Sequence, residues 1–229
     1  MCSHYQVERE LEYMSRRFGI TMSIEEWRRQ RGDIWPGYNA LMIRRPREAG
    51  VGDESVPERE GVIGQFGLLP HWAKDTKLGR STYNARSETV ASKPAFRDAW
   101  KRAQHCIIPA DAIYEPDWRS GKAIPTRITR ADGEAMAIAG LWSSWRPKSG
   151  GEWIDSFTML TINATDHPVM QNFHRPEDEK RMVVILSDDQ HDAWLHGTPE
   201  ESGWFLRQFP ADQLVAEPRP VQMRSKVTE

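Results

Sequence analysis

Cysteine is scarce in this 229-residue chain: only Cys2 and Cys106 are present. Two thiols are too few for a disulfide framework, and no Cys-x-x-Cys pair occurs, so neither a stapled secreted fold nor a zinc site is expected. No metal or other cofactor is expected. Long apolar runs are also missing. No stretch of about 18 apolar residues exists to span a bilayer, and Met1–Arg9 has no apolar segment of the kind that directs secretion. The expected location is the cytoplasm, with no membrane partner. Gly/Ser- or Pro-rich linkers and internal repeats are absent, which predicts a single domain over residues 1–229. Net charge is low, −2, so the whole molecule does not read as a nucleic-acid binder.

Charge is nevertheless unevenly spread. Between Lys74 and Arg102 stand eight Lys or Arg against Asp75, Glu88 and Asp98, a local excess of about +5 that suits a phosphate backbone or, equally, a solvated helix face. Patterning predicts helices over Val7–Phe18, Ser23–Arg31 (with a Ser23/Glu26 capping box), Glu88–Ala103, Asp188–Leu195 and Glu200–Gln208. Strands are predicted at Gly61–Leu69, Cys106–Ile108, Ala112–Tyr114, Phe157–Asn163 and Arg181–Leu186. Trp35–Pro46 reads as irregular or extended, and Ala73–Asn84 as an irregular basic loop. Pro125–Thr129 and Met136–Trp142 flank Ala131-Asp132-Gly133, which signals a hairpin. Strands outnumber helices without regular alternation. That predicts an α+β fold with a mainly antiparallel, barrel-like β core flanked by helices.

The informative feature is Cys2 directly behind Met1. Loss of Met1 leaves an N-terminal cysteine whose α-amine titrates near ~7.7–8 and whose thiol titrates near ~8.5. A 1,2-aminothiol condenses with an aldehyde through nitrogen and closes a five-membered ring through sulfur. Position alone does not separate this from a cysteine that merely follows the initiator. Three further segments place polar groups beside apolar runs: Tyr83–Thr89, Ala110–Pro116 and Phe173–Arg175. Singly, Asn84 is also a turn residue, Glu115 a surface carboxylate and His174 a loop histidine.

Taken together, and with Gly67–Ala73, Phe96-Arg97, Cys106–Asp111, Ala139–Trp142 and Arg181–Leu186 in order, these segments resemble the SOS response-associated peptidase (SRAP) family over nearly the whole chain. The resemblance implies an abasic-site processing protein: it binds single-stranded DNA and forms a covalent thiazolidine with the ring-opened abasic deoxyribose, a lyase-type activity with possible autoproteolytic loss of Met1. It implies Cys2 as nucleophile, Asn84 as the residue that positions the N-terminus, and Glu115 and His174 as acid/base groups. It also implies Arg86 and Arg97 on phosphates and Trp72 stacked on a base. The expected partner is single-stranded DNA with abasic sites, met by a monomer that joins the nucleoid during DNA damage. There are departures. His4, expected to contact the DNA, stands where many members carry a DNA-facing arginine, Pro116 replaces a Trp or similar residue, and Arg175–Arg181 is longer than the common link, which leaves His167 as the alternative histidine. Two rival readings remain at this point, an N-terminal-nucleophile cysteine hydrolase or peptidase and a non-covalent reader of single-stranded nucleic acid.

Overall fold

In the computed structural model, residues 1–30, 32–47 and 56–219 are described. β1 (Tyr5–Gln6) opens the chain and is followed by α1 (Leu11–Phe18), α2 (Ile24–Trp27) and β2 (Asp33–Ile34). α1 buries Met14 and Phe18, four residues apart on one face, and stops at Gly19 in the left-handed region. The expected helix from Val7 starts late because the Val7 N–H is already bonded to Gly32 O at 2.8 Å, prolonging the β1 pairing. The Ser23/Glu26 capping box forms, but α2 ends at Trp27. Arg31, the end of that predicted helix, lies outside the described residues.

β3 (Asn39–Arg44), β4 (Glu60–Phe66), β5 (Asn84–Arg86), α3 (Arg97–Lys101) and β6 (His105–Ala110) come next. β3 takes up the stretch read as irregular or extended. Most of the expected 88–103 helix is turn, with Pro94 ahead of the one short helix. The basic loop contains a 3-10 helix, Thr76–Ser81, capped by Asp75, which accepts from the Lys77 N–H at 2.9 Å. After these come β7 (Ala112–Asp117), β8 (Ile124–Arg130), β9 (Met136–Trp145), β10 (Ile154–Asn163), β11 (Arg181–Val183), β12 (Ile185–Leu186), α4 (His191–His196) and β13 (Leu214–Pro218).

Five strands close a barrel in the order β10-β4-β3-β6-β9, and β9 returns to pair with β10. Only the β4–β10 junction is parallel. The α+β class with a barrel core is therefore what the chain adopts. A second antiparallel sheet, β13-β8-β7-β1-β2, stands apart from the barrel. This corrects the predicted hairpin. Ala131–Gly133 does turn, but β8 and β9 belong to different sheets. β8 alternates buried and half-buried residues, as a one-sided strand does. Met136–Leu141 is buried without interruption and finds β6, β10 and β12 as neighbours. The expected single strand Arg181–Leu186 is split at Val184. Its N–H donates to Leu160 O and its carbonyl accepts from the Ala139 N–H, so β11 lies on β10 and β12 on β9. The two predicted C-terminal helices are shortened to α4, preceded by one 3-10 turn, and to a second 3-10 helix at Glu201–Phe205.

Phe66 anchors the seam between the sheets. It stacks on Phe157 (5.6 Å) and meets the edge of Tyr5 (5.3 Å). Directly after it, Gly67 has φ +120 and donates its N–H to Phe157 O at 2.8 Å. A methyl at this position would overlap the Gly79 carbonyl, backbone against backbone. Gly67→Ala is therefore expected to cost at least about 2 kcal/mol. Gly203→Ala, at a position with open space and an ordinary φ, should stay within about 0.5 kcal/mol. Urea unfolding of the two variants checks this.

Candidate active site

β1 is a middle strand despite its two residues. Tyr5 pairs with Ile34 on one side and Ile113 on the other. His4 O accepts from the Tyr114 N–H at 2.9 Å, and Gln6 O from the Asp111 N–H at 2.8 Å. The start of the chain is thus fixed from both edges, and Cys2 is carried into the interior at 1% exposure. The Asn84 side-chain amide donates to Cys2 O at 2.7 Å. Asn84 sits on β5, which pairs in parallel with β10 from Met159. Ala85 faces the core, so Asn84 and Arg86 share the opposite face.

Glu115 and His174 complete the cluster. Glu115 lies on β7, 3% exposed, opposite Thr126 of β8. His174 follows Phe173, which bridges to Asp117 of β7, and its N–H donates to Pro116 O at 2.9 Å. Its φ of +64 is rare for a non-glycine residue; among the described residues only Ala103 shares that feature. Such a backbone costs on the order of 1–3 kcal/mol and persists only where its surroundings enforce it. His174 Nδ1 is 3.5 Å from Glu115 Oε2. The Met1 ammonium is 3.2 Å from both ring nitrogens of His174 and 3.8 Å from Glu115 Oε2. His167, the alternative histidine, is engaged elsewhere. Its Nε2 donates to Phe209 O at 2.8 Å, and its Nδ1 accepts from the Val169 and Met170 N–H groups.

Burial decides the protonation states. Desolvation raises Glu115 to about 7, and the ammonium only partly opposes it. Desolvation and then the same ammonium lower His174 to about 4. The Cys2 thiol is held far above its ordinary value, first by burial and then by the Glu115 charge, while the ammonium and backbone hydrogen bonds at His4 and Tyr114 pull the other way. The site therefore offers a near-neutral carboxylic acid, an uncharged imidazole and a protonated thiol around one amine.

The remaining expected residues do not join this cluster. Arg86 is half-exposed and paired with Glu179 at 2.7 Å. Glu179 also holds the buried Arg181 at 2.6 Å, as does Glu88 at 2.9 Å. The long Arg175–Arg181 link thus ends in an ion-pair knot. Arg97 opens α3, half-exposed, 3.8 Å from Asp98. Trp72 is exposed, with its indole N–H donating to Pro94 O at 3.3 Å. His4 is enclosed: its ring lies between Trp35 and Tyr114, and its Nε2 is 2.7 Å from Asp33 Oδ1. Sequence reasoning assigned no role to Tyr83. It lies near enough for Cys2 and Glu115 to raise its hydroxyl pKa, after burial itself. Its place directly before Asn84 was the available signal. Among the described residues no three His, Cys, Asp or Glu side chains gather to hold a metal ion.

Residues 1–225 match the family described as SOS response associated peptidase (SRAP). The chain is similar to the abasic site processing protein YoaM of Bacillus subtilis (35% identity, 81% of this chain and 78% of the relative). It is also similar to YoqW of the same organism (30% identity, 94% and 91%). A crystal structure of a Bordetella bronchiseptica protein superposes with a TM-score of 0.82 at 46% identity, covering 96% of this chain and all of that one.

The opposed shifts predict opposed pH dependences. Glu115 sits above its ordinary value, so its contribution to stability is full at low pH and is lost as pH rises from about 4.5 to about 7. His174 sits below its ordinary value, so its contribution is full above about 6.5 and is lost as pH falls toward 4. Urea unfolding at several pH values between about 4.5 and 6.5 reads both. The stability of Glu115→Gln relative to wild type should rise with pH, that of His174→Gln should fall, each by up to about 1.4 kcal/mol per pH unit. Taking differences from wild type cancels His105 and His191, which burial also lowers to about 4.

Proposed function

The chain belongs to the SOS response associated peptidase (SRAP) family, and on that premise we propose that it captures abasic sites in single-stranded DNA as a covalent adduct on Cys2. The observation that carries this reading is the buried cluster itself. A near-neutral carboxylic acid and an uncharged imidazole flank the amine end of the chain, with a protonated thiol one residue away.

Loss of Met1 gives Cys2 the free α-amine. The amine attacks C1′ of the ring-opened deoxyribose, water leaves, and a Schiff base forms. The thiol then adds to the imine carbon: a C–S bond forms, the sulfur proton passes to nitrogen, and a thiazolidine results. The net change is one water lost. Glu115, protonated below about pH 7, donates its proton to the ring oxygen as the sugar opens, takes one back from the C1′ hydroxyl as the aldehyde forms, and donates that one to the hydroxyl that departs as water. His174, uncharged above about pH 4, takes the proton released by the attacking nitrogen. Asn84 holds the Cys2 carbonyl and so fixes the amine and thiol relative to the two bases. Fixing the reactants in this way removes much of the entropy cost of a bimolecular step, up to roughly 7–11 kcal/mol in well-oriented cases.

Denaturing gels and intact mass on a single-stranded oligonucleotide with one abasic site test the reading. Protein starting at Cys2 should give a heat-stable adduct of protein plus DNA less one water, and an intact strand should give none. Cys2→Ala should abolish the adduct and keep non-covalent affinity within about threefold, since the side chain is buried. Glu115→Gln should slow attachment by about 10²-fold or more. A full-speed Glu115→Gln removes the acid role. No adduct from protein beginning at Cys2 turns the reading toward N-terminal-nucleophile hydrolysis.

A further inference from the structure

Three flat rings stack beside the site. His4 lies between Trp35 (centroids 4.1 Å apart, planes at 10°) and Tyr114 (4.3 Å, 13°). Hydrogen bonds fix the stack. His4 Nε2 is 2.7 Å from Asp33 Oδ1, Gln6 donates to the same oxygen at 3.0 Å, and the Tyr114 hydroxyl donates to Gln6 Oε1 at 2.7 Å. Trp35 ends the stack and is 43% exposed, although a tryptophan usually buries its large apolar surface. It borders a cleft of about 390 Å³ whose wall includes Glu115. Pro116 and Pro125, paired directly across β7 and β8, line the same cleft. Proline carries no N–H, so they present a flat apolar surface without donors. Arg219 also lines the cleft, its backbone N–H tied to Pro125 O at 2.7 Å and its guanidinium 3.3 Å from Glu217 Oε2.

Rigid aromatic and proline surfaces, one cation, and a wall shared with the acid at the reacting centre define the occupant. It is flat, aromatic, linked to an anion, and attached to whatever reacts at Cys2. Two residues of extended chain, about 7 Å, separate Cys2 from His4, a one-nucleotide reach. We infer that this cleft receives the nucleobase adjoining the abasic sugar, stacked against Trp35. The inference rests on the function proposed above. Trp72 does not border this cleft, so Trp35 is a second, separate stacking residue.

Equilibrium binding by fluorescence anisotropy tests it, with the full chain and single strands carrying a tetrahydrofuran lesion. That lesion has no aldehyde, so the result stands apart from adduct formation. The nucleotide 5′ or 3′ of the lesion is kept as adenosine or replaced by a second tetrahydrofuran. One of the two replacements should weaken wild-type binding by about 5- to 150-fold, the range of base–aromatic stacking. Trp35→Ala should lose the same factor on the adenosine strand and be indifferent to the replacement, and Trp35→Phe should recover most of the loss. A wild type indifferent to both replacements, or one that does not bind, overturns the inference, as does a Trp35→Ala variant that still senses the base. Base-dependent binding through Trp35 without any adduct on a true abasic strand leaves the stacking cleft standing and removes the covalent chemistry.

Discussion

Everything at the site depends on a strand of two residues. Tyr5 is hydrogen-bonded into the sheet from both sides, and its ring closes against Phe66 at the barrel seam. A chain terminus usually frays. Here the double pairing and the buried tyrosine oppose fraying within four residues of the end. Cys2, three residues before Tyr5, is thereby held at an interior position that loops alone would not define. The same sheet brings Glu115, because β7 is the strand that pairs with β1. It brings His174 as well, because the Phe173–Asp117 bridge continues from β7. One sheet therefore contributes three of the four central residues, and β5, added to the barrel strand β10, contributes Asn84.

The electrostatic character of the cluster follows from that burial. Placed in water, the acid would be ionised and the thiol partly so at neutral pH. Enclosed together, the carboxyl, imidazole and thiol each move toward their uncharged forms, because burial disfavours each charged form; for the carboxyl and the thiol it does so against the pull of the ammonium. The strained His174 backbone belongs to the same arrangement, since it aims the ring at the amine instead of at solvent.

Sequence reasoning reached the cluster through motifs, not through geometry. Cys2, Asn84, Glu115 and His174 are spread over most of the chain, and no local pattern says that they meet. The barrel class was legible because the strand signals were dense and poorly separated by helices. The partition into two sheets was not, because β8 and β9 look like a hairpin locally and differ only in how many of their faces are buried. Helix lengths were overestimated where a tertiary bond intervened, as at Val7. His4 read as a substitute DNA contact, and its enclosure between Trp35 and Tyr114 is visible only once β1, β2 and β7 are side by side. Trp35 opens the stretch that reads in sequence only as irregular or extended.

The separation between Met1 and His174 also sets a schedule. The partners of the first six residues include positions 111–114 and 174, so the N-terminal strand has no complete docking site until about three quarters of the chain has been made. At roughly 5–20 residues per second, the first residues wait on the order of 10–40 s on the ribosome before the fold can take them up. Under the function proposed above, removal of Met1 and burial of the terminus are thus in kinetic competition. A faster translation rate or an earlier-closing fold shortens the time in which Met1 is freely available, and on that reading the fraction of molecules that begin at Cys2 becomes a property of synthesis as much as of the finished structure.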